Sequence, residues 1–239
     1  MDNTDKYFVI GIGGTGMRCI ESFTHMCAMG LFDSKEINVL TIDTDYSNGN
    51  KARTERLLKQ YSTIKSSSGQ EGQSNSDTFF SAKLNLFSWV ANYDNDNKKT
   101  FKAITQSNQT SNEQDNKHLG DLFLNQAVQD FDLRHGYRAQ THLGSHLMYH
   151  AFLETASRIR GNGPEPEDKD FNDFLLKLYN AGKDAKVFVF GSIFGGTGAS
   201  SIPVITRAVT DSCKIITGDK IEMSNLYYGG VVLSSYFKF

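Results

Sequence analysis

Two glycine-rich loops, each between a strand pattern and a helix pattern, constrain this chain more than any other feature. The first loop, residues 11–16 (GIGGTG), follows the apolar run 6–12 (KYFVIGI). The second loop, residues 195–198 (GGTG), follows the apolar run 187–190 (VFVF). A buried strand that passes through glycines directly into a helix is typical of parallel α/β sheets, where ligands bind at the carboxyl ends of the strands.

The periodicity of the remaining apolar residues extends this pattern along most of the chain. Further strands are predicted at 37–42 and 226–233, and helices at 15–30, 119–131, 145–159, 171–179 and 200–209, with Gly182 as a helix cap. Strand, glycine turn, helix and strand form a βαβ unit, which has parallel strands. The sequence therefore predicts an α/β fold: a Rossmann-like three-layer parallel sheet with helices on both faces, in one domain over residues 1–239.

A polar insertion interrupts the predicted domain at residues 61–117. Residues 62–78 and 92–117 are rich in Ser, Asn, Gln, Asp and Lys, and they hold too few apolar side chains to offset the entropy of ordering them. Residues 79–90 (FFSAKLNLFSWV) lie between them and are apolar and aromatic. We expect this middle segment to dock on the body of the domain.

Composition narrows the classes of partner and location. The chain has 239 residues and a formal net charge of −2, which provides no basic surface for nucleic acid. No apolar run approaches the ~20 residues of a membrane-spanning helix, and the N-terminus lacks the pattern of a signal peptide. The three cysteines, Cys19, Cys27 and Cys213, have no metal-site spacing and suit free thiols in a reducing compartment. We therefore expect a cytoplasmic protein with neither nucleic-acid nor membrane partners.

Both glycine-rich loops suit the binding of phosphate. Glycines allow backbone N–H groups to approach a phosphate, and a helix N-terminus adds partial positive charge. Neither loop is followed by the Lys-Ser/Thr pair of a P-loop, so backbone amides, helix dipoles and a metal ion must balance the phosphate charge. The first loop also fits the G-x-G-x-x-G dinucleotide pattern, with Asp43 available for a ribose. An NAD(P)- or FAD-binding oxidoreductase is therefore an alternative, although it leaves residues 195–198 without a role.

Three short motifs together resemble the tubulin/FtsZ family of GTPases. Residues 194–200 (FGGTGAS) resemble the family's Gly-Gly-Thr-Gly signature loop, and residues 11–20 (GIGGTGMRCI) resemble its first phosphate loop. Residues 43–45 (Asp-Thr-Asp) resemble its second loop. The resemblance covers residues 6–60 and about 134–239, and it identifies the chain as similar to divergent, tubulin-like bacterial proteins. It implies a GTPase-domain type of fold that binds GTP or GDP with Mg²⁺.

The resemblance also implies which residues contact the nucleotide. It places Asp45 near the magnesium ion, and the third loop of the family falls within residues 134–145, where Arg138 and Gln140 are further candidates. Asp43 and Asp45 could instead cap the turn that ends the strand. The implied nucleotide-binding residues are Gly11, Gly13, Gly14, Thr15, Met17, Arg18, Asp43, Thr44, Gly144, Gly195, Gly196, Thr197, Gly198, Ala199 and Ser200.

Departures from the family pattern keep a third hypothesis open. Phe194 and Ser200 stand where the family's signature loop has a small residue and a glycine, and Met17 and Arg18 stand near the expected base. The chain could therefore be a structural scaffold that no longer holds nucleotide. Arg18 could meet a phosphate or lie in solvent, and the i, i+4 pair His146 and His150 could hold a metal or form an exposed helix face.

The family's catalytic acid lies in a loop beyond the last strand predicted here. We therefore expect the domain to be incomplete at its C-terminus and to contain no catalytic residue. In the family, nucleotide lies at a head-to-tail interface between subunits. The resemblance thus implies filament-type self-association of the full-length protein.

Overall fold

A parallel sheet forms the centre of the protein. The computed structural model describes residues 6–32, 35–45, 49–68, 79–91, 99–106, 118, 120–218 and 226–234. Within these ranges the strands are β1 (Lys6–Ile12), β2 (Glu36–Asp43), β3 (Lys83–Val90), β4 (Ala185–Ser192) and β5 (Tyr227–Leu233). They lie in the order β3-β2-β1-β4-β5, and every neighbouring pair is parallel.

Helices connect the strands and cover both faces of the sheet. The described helices are α1 (Gly13–Ala28), α2 (Gly49–Ser67), α3 (Phe101–Gln106), α4 (Gln126–Gln129), α5 (Thr141–Asn162), α6 (Lys169–Ala181) and α7 (Thr197–Thr217), with a 3₁₀ turn at Gly182–Asp184. The helix after residue 169 ends at Gly182 as predicted, and Gly182 has a φ of +56°. None of the helices in the described ranges is both long and apolar enough to cross a bilayer.

Alternate residues of the central strands face two separate cores. Val9 and Val39 point to one side and pack with Ile20 and Leu58 of α1 and α2. Phe8, Ile10 and Leu40 belong to the larger core on the opposite side, which α5, α6 and α7 cover. Because the side chains of a strand alternate between faces, these strands are buried on both sides. The predicted α/β arrangement, a parallel sheet between two helical layers, is confirmed.

The segment predicted to dock within the insertion is a strand of the sheet itself. Residues 83–90 form β3, which pairs in parallel with β2 along its whole length. Trp89 packs against Phe152 of α5 and Phe171 of α6, with ring centroids 4.7 Å and 5.0 Å away. The sequence did not predict this strand for two reasons. It is an edge strand that is only partly buried, and the segments before and after it are polar. The helix α2 also extends into the predicted insertion, whose residues 69–78, 92–98 and 107–117 lie outside the described ranges.

The single helix predicted for residues 119–131 is wrong. The Asn125 side chain accepts a hydrogen bond from the N–H of Val128 at 2.9 Å, which caps the short helix α4 and breaks the helical run. Leu122 and Phe123, which the helical spacing had placed on the buried face, are each 73% exposed. Leu119 lies outside the described residues.

The chain connections diverge at the carboxyl ends of the neighbouring strands β1 and β4. The chain leaves β1 into α1 on one face of the sheet and leaves β4 into α7 on the other face. In open α/β sheets, ligands bind where neighbouring connections diverge in this way. Both glycine-rich loops lie at this point.

Candidate functional site

Three helices begin at the carboxyl edge of the sheet. α1 starts at Gly13 directly after β1, and α7 starts at Thr197 shortly after β4. The third, α5, runs parallel to α7, because Gly144 faces Ser200 near one end while Arg160 Nη1 donates to Ile215 O near the other. The N-termini of α5 and α7 therefore lie at the same end of the molecule.

The partial positive charge of these three helix N-termini is not neutralised by a capping or acidic side chain of the first turn. In the described structure, no side chain caps the first turn of α1, α5 or α7, and none of these turns contains an acidic residue. The first N–H groups of a helix lack intrahelical partners, and each N-terminus carries about half a positive charge. This edge of the sheet therefore favours an anion.

The first turns of α1 and α7 touch each other. A Cβ atom at position 13 would lie 3.4 Å from the amide nitrogen of Gly198 and 3.4 Å from Thr197 Cβ. Gly13 also has a φ of +66°, which L side chains rarely adopt. At position 198, a Cβ atom would lie 2.7 Å from the carbonyl oxygen of Ser192. The two glycine-rich loops are thus one structural unit, in which glycine permits the close approach of backbone to backbone.

The loop after β2 joins this unit through a pair of hydroxyl groups. Thr44 Oγ1 and Thr197 Oγ1 are 2.9 Å apart, and both side chains are buried. Asp45 forms an isolated antiparallel bridge with His135. A Cβ atom at Gly136 would lie 3.8 Å from Asp45 Cβ. The ends of β1, β2 and β4 therefore meet at this edge of the sheet.

Residues 135–139 form a loop that packs beside the second glycine-rich loop. A Cβ atom at Gly196 would lie 3.3 Å from the Arg138 nitrogen and 3.2 Å from the Ala139 nitrogen. Arg138 and Ala139 have φ values of +44° and +61°, an uncommon conformation for residues other than glycine. The Arg138 guanidinium lies 5.3 Å from the centroid of the Phe131 ring. Gly136 and Ala139 were not predicted from the sequence as site residues. Gly136 could have been noticed as a glycine in a predicted loop, whereas nothing in the residue type of Ala139 indicates its positive φ.

Asp43 caps the turn at the end of β2. Its Oδ1 accepts hydrogen bonds from the backbone N–H groups of Thr44 (2.8 Å) and Asp45 (3.2 Å). The residue is 2% exposed, and Oδ2 is buried with no hydrogen-bond partner in the described structure. Burial raises the pKa of this carboxyl group. The turn-capping role is thus present, whereas the buried carboxylate is not placed to meet a ribose.

Four of the predicted binding residues pack inside the protein instead of lining the open edge. A side chain at Gly11 would collide with Ile20, and one at Gly144 would collide with Ser200 and Tyr137. Met17 and Ser200 are fully buried. Gly11 faces inward because β1 packs against Ile20 of α1, and Gly144 and Ser200 face inward because α5 and α7 pack against each other.

Gly13, Asp43, Thr44 and Thr197 are also buried, at the contacts described above, and the remaining predicted residues are more accessible. Gly14, Thr15, Asp45, Gly196, Gly198 and Ala199 are half-buried, Gly195 is exposed, and Arg18 is exposed on α1. Gln140 is the residue that precedes α5.

No metal cluster accompanies these loops in the part of the chain that the structure describes. Within that part, no three His, Cys, Asp or Glu side chains are grouped as a metal site requires. His146 packs edge-on against Phe101, and His150 Nδ1 lies 3.9 Å from Glu154 Oε2. These contacts favour the exposed-face interpretation of the histidine pair.

The arrangement can hold an anion by backbone N–H groups from two or three helices. Asp43 and Asp45 place carboxylates at the end of β2, so a cation would be needed where an anion approaches them. No family model, curated protein or solved structure matches the chain.

Proposed function

We propose that the protein binds a nucleotide whose phosphates lie between the first turns of α1 and α7. The observation that carries this proposal is the contact of Gly13 with Thr197 and Gly198, which brings two uncapped helix N-termini together. The resemblance to the tubulin/FtsZ family supports GTP or GDP as the nucleotide, and a fold of that family's GTPase-domain type.

The phosphates would be held from two sides by backbone groups. Gly13, Gly14 and Thr15 lie on the α1 side, and residues 195–198 lie on the α7 side. No Lys or Arg occurs in residues 7–17 or 187–206, so backbone dipoles cannot be supplemented by a side-chain cation from these segments. Mg²⁺ would supply the remaining positive charge, and it needs few protein ligands because it retains several waters. Asp45 is the carboxylate best placed to hold it.

The dinucleotide alternative has less support. It requires Asp43 to bond a ribose, but the two N–H groups of the turn already occupy Oδ1, and Oδ2 is buried. It also gives no role to the Thr197 end of the site. The nucleotide proposal uses both loops.

Isothermal titration of the chain with GTP, ATP and NAD in the presence of Mg²⁺ tests the proposal. We expect heat from a nucleoside triphosphate and a loss of that signal in Gly196→Val, since a side chain there meets the backbone of Arg138 and Ala139. Tight binding of NAD with no response to GTP would support the oxidoreductase alternative. A folded chain that binds none of the three ligands would support the scaffold alternative.

Self-association of the protein on nucleotide binding is a second part of the proposal. It rests on the family resemblance, in which the nucleotide lies between consecutive subunits of a filament. Light scattering of the protein with and without GTP measures it directly. An increase that requires GTP supports assembly, and identical traces contradict it.

A further inference from the structure

Three large apolar side chains are exposed beside the second glycine-rich loop. Ile193 is 59% exposed, Phe194 is 41% exposed and Leu233 is 37% exposed. The N–H of Ile193 donates to the carbonyl oxygen of Leu233 at 3.1 Å, so the loop and the end of β5 are joined. We refer to Ile193, Phe194 and Leu233 as the apolar rim.

The backbone that carries the Phe194 ring is anchored. The N–H of Phe194 donates to Ser192 Oγ at 2.9 Å, and that hydroxyl donates to the carbonyl oxygen of Leu233 at 2.9 Å. Phe194 is three residues from Thr197, the first residue of α7, so their backbones are separated by at most about 11 Å. The backbone at position 194 is therefore fixed close to the first turn of α7, where the phosphate site is proposed.

The two segments that contain the apolar rim carry no charged side chain. Residues 187–206 and 226–234 contain no Asp, Glu, Lys or Arg. The neighbouring helix N-termini favour an anion, whereas the rim offers a ring and aliphatic groups. These adjacent surfaces fit a ligand with a polyanionic end and a flat, uncharged end.

We propose that Phe194 is the stacking platform for the base of the bound nucleotide, an inference that rests on the proposed function. An aromatic ring can stack on any base, because every base has a π face. Stacking does not read the hydrogen-bond pattern that separates guanine from adenine. The ligand class is therefore a nucleoside triphosphate with weak discrimination between bases. The tubulin/FtsZ signature has a small residue at this position, so the platform is a feature of this chain.

Titrations with inorganic tripolyphosphate, GTP and ATP, each with Mg²⁺, separate the base from the phosphates. In the wild-type chain, we expect GTP and ATP to bind with similar affinity and more tightly than tripolyphosphate. Phe194→Ala should weaken both nucleotides about tenfold and leave tripolyphosphate unchanged. Phe188→Ala is the matched control, since Phe188 is 37% exposed on β4 but lies away from the loop, and it should change none of the affinities.

Phe194→Trp provides a direct optical readout. The chain has a single tryptophan, Trp89, which is buried, so a tryptophan at position 194 would dominate the solvent-sensitive emission. Stacking predicts that GTP quenches this emission, that tripolyphosphate does not, and that the variant keeps its affinity for GTP.

Several outcomes would overturn the inference. If Phe194→Ala leaves GTP affinity unchanged, or weakens GTP and tripolyphosphate equally, the ring does not contact the base. If Phe194→Ala abolishes self-association in sedimentation while GTP affinity is unchanged, the apolar rim is an interface between copies of the chain. If the wild-type chain binds neither tripolyphosphate nor nucleotide, the proposed function itself fails.

Discussion

The hydroxyl oxygens of Thr44 and Thr197 lie 2.9 Å apart, so the end of β2 is hydrogen-bonded to the first residue of α7. Thr44 is fully buried and Thr197 is 9% exposed. Because water cannot readily replace either partner, the pair fixes the position of the β2 loop relative to the second glycine-rich loop. It connects the part of the site that contains acidic residues to the part formed by helix N-termini.

Replacing Thr44 with valine should destabilise the protein. The substitution keeps the shape of the side chain but leaves the Thr197 hydroxyl buried without this partner, which costs about 1–3 kcal/mol. Urea unfolding measures the change in the free energy of unfolding. Thr44→Ser retains the hydroxyl group, so its free energy of unfolding should fall less than that of Thr44→Val. Equal decreases in the two variants would show that the hydrogen bond does not contribute to stability.

Gly198→Ala should also be destabilising. Its Cβ would lie 2.7 Å from the Ser192 carbonyl oxygen and 3.1 Å from the Ser192 nitrogen, and both are backbone atoms that cannot move aside easily. Overpacking of this kind costs about 1–3 kcal/mol. Gly161→Ala in α5 is the matched control: no atom lies within 4 Å of its Cβ, so stability should stay level or rise by up to about 1 kcal/mol. A tolerated alanine at 198 would contradict the close contact of the loop with β4.

The Glu21–Arg53 ion pair between α1 and α2 should make stability fall at acidic pH. A side-chain hydrogen bond from Arg53 holds the pKa of Glu21 below its ordinary value of 4.5. A carboxyl group with a lowered folded-state pKa contributes stability above 4.5, and this contribution is lost as the pH falls through the folded-state pKa. Thermal melts should therefore place wild type above Glu21→Gln at pH 7, with the gap closing below pH 4.5.

Glu167→Gln, in the exposed loop between α5 and α6, serves as the control for that series. Its melting temperature should follow the wild type throughout. If the gap for Glu21→Gln is independent of pH, the ion pair does not couple folding to protonation.

The elements around the site could be predicted from the sequence because each loop follows a short apolar strand and leads into a helix. β1 and β4 read as short apolar runs, and the glycines mark where each run turns into a helix. β3 was not predicted as a strand of the sheet, because an edge strand is only partly buried and its neighbours in the sequence are polar. The helical spacing of residues 119–131 was misleading, because the Asn125 cap interrupts it.

The site itself was predictable only as far as backbone geometry follows from residue type. Gly13 and Gly198 occupy backbone positions where any other residue would be strained or would collide with a neighbour, so the requirement is evident in the sequence as conspicuous glycines. Arg138 and Ala139 adopt positive φ beside Gly196, and no residue pattern in the sequence indicates this conformation. Met17 and Ser200 were assigned to the ligand by their place in the motifs, but spacing alone could not show that both face the interior.

The central claim is that phosphate lies between the first turns of α1 and α7. Backbone amide chemical shifts of the isotope-labelled chain, recorded by NMR with and without GTP and Mg²⁺, test it most directly. We predict that the largest shifts occur at the amides of Gly13, Gly14, Thr15, Thr197 and Gly198, and that tripolyphosphate reproduces them. Saturable shifts confined to other regions, such as the surface between α1 and α2, would contradict the account.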